Sequence, residues 1–95
     1  MLPAILGEFL GTFFFLLVIL MVGEPIPIVV GLLASIYAFG GLSGGHFNPA
    51  VSTMMLAKGD IDAMTYGAYV VAQIAGGLAA LFLWTLTKKD KKSGK

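Results

Sequence analysis

The sequence has no cysteine and no arginine, a single histidine, and charge on only 12% of its 95 residues. Without cysteine there are no disulfides and no thiolate metal ligands, and the redox compartment leaves no trace. With one histidine, His46, and no carboxylate beside it in sequence, a metal site is not expected. The basic residues do not suit nucleic acid: of the six lysines, Lys88, Lys89, Lys91, Lys92 and Lys95 crowd the last eight residues, with no aromatic interleaving. No nucleophile and base form a convincing pair, and no Lys-Ser/Thr follows the glycines as a phosphate loop requires. Neither an enzyme nor a cofactor is therefore expected. The apolar start is a poor signal peptide, because no lysine or arginine precedes it and Glu8 lies inside it.

Apolar residues dominate instead. They make up 58% of the chain with a mean hydropathy of +0.93, against about 45–50% in ordinary soluble domains. A water-soluble globule of this length could not bury so much apolar surface; a bilayer removes the need. The sequence predicts one all-α membrane domain over residues 1–95. Its three spans lie at about 3–22, 28–42 and 63–87, each long enough, with flanking turn residues, for a hydrocarbon layer that needs about 20 helical residues. Glu24-Pro25-Ile26-Pro27 separates the first two. The Lys-rich tail, 88–95, is the kind of flank that stays on the cytoplasmic side, which predicts a cytoplasmic C-terminus.

Residues 43–58 do not fit a simple bundle. Ser43-Gly44-Gly45-His46-Phe47 is too rich in glycine to favour a helix, and the run from Gly40 onward is expected to be extended or looped. At Asn48-Pro49-Ala50 the pattern changes, since Asn is a favoured N-cap and Pro a favoured first helical residue. Lys58-Gly59 supplies a matching stop. A helix of about ten residues covers about 15 Å, half of a layer about 30 Å thick, so it can enter a membrane but not cross it. Looped backbone at that depth is tolerated only inside protein or beside a wet cavity. The helix tip would present the Asn48 amide and free N–H groups with the positive end of the helix dipole. Water oxygen suits such a tip and cations do not. The backbone carbonyls of Gly44, Gly45, His46 and Phe47 could serve as acceptors along a narrow approach. Gly7-xxx-Gly11 and Ala72-xxx-Gly76-xxx-Ala80 read as stripes for close helix contact.

The string Ser43-Gly44-Gly45-His46-Phe47-Asn48-Pro49-Ala50-Val51 resembles the first-repeat signature of the aquaporins and aquaglyceroporins, the major intrinsic proteins. Gly7-Glu8-Phe9-Leu10-Gly11-Thr12-Phe13 and Tyr69-Val70-Val71-Ala72-Gln73-Ile74-Ala75-Gly76-Gly77 resemble segments of the family's first and third helices. The similarity covers about residues 4 to 85. It implies one aquaporin inverted repeat, half of a two-repeat fold, working as a passive channel for water or small uncharged solutes such as glycerol. Asn48, Pro49, Ala50 and Val51, with the carbonyls of Gly44, Gly45, His46 and Phe47, would line and select, and Glu8 would brace the loop. From the residues themselves, Gln73 is expected as a second structural brace, and Gln73 and Tyr69 to satisfy hydrogen bonds between helices.

One half leaves the conduit open, so an inverted mate is expected. An antiparallel homodimer would form one pore, and the family resemblance implies four such pores clustered as an octamer; a separately encoded inverted half, or a truncated or engineered chain, are the alternatives. The lysine tail argues against two orientations, and it opposes the orientation that the motif implies, since the family's first repeat has its N-terminus inside. The family's second repeat usually carries arginine after Asn-Pro-Ala, whereas Val51 stands here, which predicts a wider filter. Two other readings are a small dual-topology proton-coupled exporter using Glu8 and a non-conducting assembly subunit or fragment.

Overall fold

A computed structural model describes residues 1–93, with side chains through Lys88. Most of the lysine tail's side chains therefore lie outside the described residues. Four helices and no strand are present among them: α1 (Leu2–Met21), α2 (Pro25–Ser43), α3 (Pro49–Lys58) and α4 (Ala63–Ser93). Three, Leu2–Met21, Pro25–Ser43 and Ala63–Lys88, are long and apolar enough to cross a membrane. The all-α architecture is that of one aquaporin half-repeat.

Helix ends follow backbone chemistry. α2 begins at Pro25, earlier than the expected start near Ile28, because Pro25 and Pro27 fall in the first turn, where N–H groups have no helical partner to lose. The first helical bond of α2 runs from the Ile28 N–H to the Glu24 carbonyl at 3.1 Å. Its other end corrects the expected loop from Gly40. The helix carries through Gly40 and Gly41 and reverses at Gly44, whose φ of +95° is one that only glycine adopts readily. α3 begins as its sequence implies: Asn48 is extended, and its Oδ1 accepts the Ala50 N–H at 2.8 Å. It ends at Gly59, left-handed at φ +93°.

α1 and α4 run in the same direction. Ile5, Leu6 and Phe9 share a cavity with Gly67, Ala68 and Val71 at one end, and Leu20 and Met21 meet Trp84 and Thr87 at the other. α2 runs opposite, with Gly7 against Leu42 and Gly31 against Val18. At the α1–α4 crossing a Cβ on Gly76 would lie 2.7 Å from the Phe9 carbonyl oxygen, so the backbones touch as small residues allow. The core reverses that of a soluble protein. Its largest fully buried side chains are Gln73, Glu8, Thr12, Ser35 and Ser52, while Leu10, Phe14, Val29, Leu33, Leu78 and Phe82 are exposed. Apolar surface turned outward is stable where lipid replaces water.

Candidate functional site

The site is assembled around Glu8, which has no exposed surface. Its Oε1 accepts the Phe47 N–H and Gln73 Nε2, each at 2.8 Å. Its Oε2 accepts the Ser43 hydroxyl at 2.6 Å and the His46 N–H at 3.0 Å. A carboxylate offers acceptors only, and here both oxygens meet donors, with one fixed backbone N–H on each. Ser43 also receives the Gly45 N–H at 3.2 Å, and the Tyr69 hydroxyl donates to the Ser43 carbonyl at 2.6 Å. The whole loop from Ser43 to Phe47 is thus tied to the first turns of α1 and to α4.

Phe47 is the mechanical anchor of the loop. Its φ of +52° makes it the only non-glycine residue with positive φ among the described residues, a conformation that costs about 1–2 kcal/mol for a side-chain-bearing residue. The N–H bond to Glu8 and a ring only 2% exposed hold it there. The ring lies on Gly11, where a Cβ would come within 2.0 Å of Phe47 Cε1. The Gly7-xxx-Gly11 stripe therefore divides its work, Gly7 meeting α2 and Gly11 seating the ring. As a lining residue Phe47 has only its carbonyl left to offer, since its N–H is held by Glu8 and its ring by Gly11.

The sequence-derived lining residues other than Phe47 keep some exposed surface, although His46 also takes part in the brace. Asn48, Pro49, Ala50 and Gly44 are exposed, whereas Gly45, His46 and Val51 are half-buried. Asn48 and Pro49 edge a cavity of about 420 Å³, also lined by Thr12, Phe47, Gln73 and Gly77. Thr12 and Gln73 stand near the middle of their helices, so the tip of α3 lies at mid-length of the spans. Asn48 Nδ2 and the Val51 N–H have no partner among the described residues. Two buried oxygens of the cavity-lining residues, Thr12 Oγ1 and Gln73 Oε1, are also unpaired there.

Ser52 escaped the sequence reading. It is fully buried on α3, where its hydroxyl receives Gln73 Nε2 at 2.8 Å and stands 2.8 Å from His46 Nδ1. The available signal was its place one helical turn after Asn48, a polar side chain on a helix face otherwise turned to the bundle.

Fold and site define a class: an integral, multi-pass membrane protein in which a ten-residue helix begins on a braced loop beside the middle of the long helices. The sequence model of the major intrinsic proteins matches residues 1–95. The chain belongs to the major intrinsic protein family. It is 44% identical over 84 residues to a protein named glycerol uptake facilitator protein-like 6 from Lactiplantibacillus plantarum, covering 79% of this chain and 39% of that one. Two proteins named aquaporin Z are also similar. The one from Photorhabdus laumondii is 41% identical over 66 residues, 68% of this chain and 29% of its own length. The one from Brucella melitensis is 43% identical over 58 residues, 61% and 25% respectively. The chain thus spans between a quarter and two-fifths of the length of these relatives. No solved structure matches it.

Proposed function

We propose that the chain forms one half of a passive channel for water and small uncharged solutes such as glycerol, its pore completed by an inverted second copy or a separate inverted half. The observation that carries this is the tip of α3. A helix of ten residues stops at mid-span with the Asn48 amide and the Val51 N–H unused, beside a cavity of about 420 Å³. The positive end of the helix dipole and its free donors favour an oxygen and disfavour a cation. The backbone of Gly44, Gly45, His46 and Phe47 supplies acceptors on the approach, and Glu8 and Gln73 hold that backbone in place. The relatives named for glycerol uptake and as aquaporins agree with such a solute class.

The competing role for Glu8, proton-coupled export, lacks comparable support. A shuttling carboxyl needs room for its proton, and here four donors converge on the two oxygens.

In a homodimer Val51 would stand at both mouths of the pore, leaving a filter wide enough for glycerol, with proton exclusion resting on the opposed helix dipoles. Liposomes containing the purified chain should swell with water and with glycerol while an internal pH dye stays quiet. Val51→Arg should lower glycerol flux several-fold and leave most of the water flux. Water conduction without glycerol conduction would overturn the wide filter, and absence of any flux would overturn the homomeric channel. An antiparallel dimer, alone or as four pores in an octamer, requires both orientations in one membrane. The lysine tail favours a cytoplasmic C-terminus. A cysteine introduced at the C-terminus has no native thiol to compete with it; labelling from one face only would rule out the homodimer and leave a separate inverted half.

A further inference from the structure

The hydrogen bonds around Glu8 have a direction that propagates beyond it. Each carboxylate oxygen already accepts a backbone N–H, from Phe47 on Oε1 and from His46 on Oε2, and a backbone N–H cannot reverse its role. A carboxylate has acceptors only, so as a carboxylate Glu8 accepts from Gln73 as well. This fixes the sense of the Gln73 amide, with Nε2 toward Glu8 and Oε1 turned away, in agreement with an Oε1 that has no partner among the described residues. The same Nε2 carries a second proton, and Ser52 Oγ lies 2.8 Å from it, so Ser52 accepts. The Ser52 hydroxyl then needs an acceptor for its own proton. Among the described residues its other neighbour in bonding range is His46 Nδ1, at 2.8 Å.

We infer that the Glu8–Gln73–Ser52 relay fixes His46 in the neutral tautomer protonated on Nε2, making the ring a one-way hydrogen-bond donor to water or to an oxygen of a neutral solute at the loop. Nδ1 is committed to Ser52. The edge-on ring of Tyr69, its centroid 5.0 Å away, confines the imidazole on one side. Nε2 is the ring atom left over; it has no hydrogen-bond partner among the described residues, and it lies 3.8 Å from where a Cβ on Gly44 would stand. Gly44 is exposed and His46 half-buried, so the Nε2–H is a donor beside open backbone, the kind of group that water satisfies. Ser52 acts here as a positioning residue, through the proton that it hands to Nδ1. The reverse polarity would need the amide of Gln73 flipped and a proton on Glu8, so the tautomer of His46 also reports the direction of the entire relay.

His46 is the only histidine in the chain, which makes the test free of assignment. In lipid bilayers, ¹⁵N-histidine solid-state NMR near neutral pH should show Nδ1 as the unprotonated imine nitrogen and Nε2 as the protonated one, with a water cross-peak to the Nε2 proton. Ser52→Ala should move the Nδ1 resonance toward that of an unbonded imine and mix the tautomers. Ser52→Thr, which keeps the hydroxyl, should restore the wild-type spectrum. A ring protonated mainly on Nδ1, or an Nδ1 resonance indifferent to Ser52→Ala, would overturn the inference. A missing water cross-peak would remove the donor role. The wild-type spectrum settles the tautomer even if Ser52→Ala fails to insert. Because the measurement reads a proton position and not a flux, its outcome is separate from that of the swelling assay.

Discussion

The loop between Ser43 and Ser52 has two sides, completed to different degrees. On the inner side both Glu8 oxygens, the Ser52 hydroxyl, Gln73 Nε2 and the Tyr69 hydroxyl have partners, and the Phe47 ring is sealed on Gly11. On the outer side Asn48 satisfies its own helix with Oδ1 and leaves Nδ2 free beside a cavity. The difference separates a braced face from one with unused donors within about ten residues. The inner side builds the loop from this chain's own groups, so the strained backbone at Phe47 exists before any mate or solute arrives. The outer side keeps its donors for what comes next. Donors held in place this way cost little further ordering on binding. Substitutions should therefore divide sharply according to the side they strike.

The largest effect is expected inside. Glu8→Ala leaves buried donors facing a void, and an unmet buried donor costs about 1–3 kcal/mol. Even with relaxation the chain should lose about 3 kcal/mol or more, measured as unfolding of the helices in mixed detergent. Glu8→Gln should fall between, since its amide keeps one acceptor and sets an NH₂ against a donor. If Glu8→Ala unfolds at the wild-type midpoint, the brace does not hold the loop. Gly11→Ala comes next: the new methyl would overlap the Phe47 ring, and overpacking of this kind costs about 1–3 kcal/mol. Pairing it with Phe47→Leu should recover part of the loss, and strictly additive effects would mean that the two residues do not touch.

How much of this was legible in the sequence follows the same division. The outer side could be read from local rules. Asn48-Pro49 announces a helix start, Lys58-Gly59 a stop, and the length of the segment between them denies it a full crossing. The inner side depends on groups far apart in sequence, Glu8 with His46, Phe47 and Gln73, and spacing alone cannot supply such pairings. Resemblance to a family points to Glu8, and Gln73 reads as a further brace on the inner side; the one local mark of Ser52 is its place a helical turn after Asn48, and nothing local marks the left-handed backbone at Phe47, whose one trace is the glycine that receives its ring. The span expected to end near 42 matches the helix end at Ser43, but the glycine frequency that suggests a loop from Gly40 is overruled, since Gly40 and Gly41 remain helical. What ends the helix is the need for positive φ at Gly44.

Substitutions on the outer side should leave the fold nearly intact and alter passage instead. Asn48→Ala removes a helix cap worth about 1 kcal/mol. Asn48→Asp keeps an equivalent cap, so its unfolding should shift by less than about 0.5 kcal/mol. It places a negative charge at the tip, however, where the dipole had disfavoured cations. Cation flux into channel-containing liposomes should rise several-fold over wild type. A stable Asn48→Asp protein with unchanged cation flux would remove the tip from the conduction path.

The smallest expected effect lies away from both sides, where the chain enters α4, and it sets a control for the comparison. Asp62 is exposed and its Oδ1 accepts the Thr65 N–H at 2.8 Å. Hydrogen bonding from the Thr65 side chain, then from its backbone, holds the Asp62 carboxyl below its ordinary value of 3.8. A carboxyl lowered on folding stabilises the folded state fully above its unfolded value, and the contribution fades as pH falls through the folded one. Asp62→Asn should therefore be slightly less stable than wild type above pH 3.8, with the gap closing in more acid solution. Solvent and salt screen so exposed a group, so the gap should also narrow as ionic strength rises. Water flux should not change, because Asp62 touches neither the brace nor the tip. A flux change as large as that of a tip variant would mean that the entry to α4 shapes the conduit, and the division between inner and outer sides would have to be redrawn.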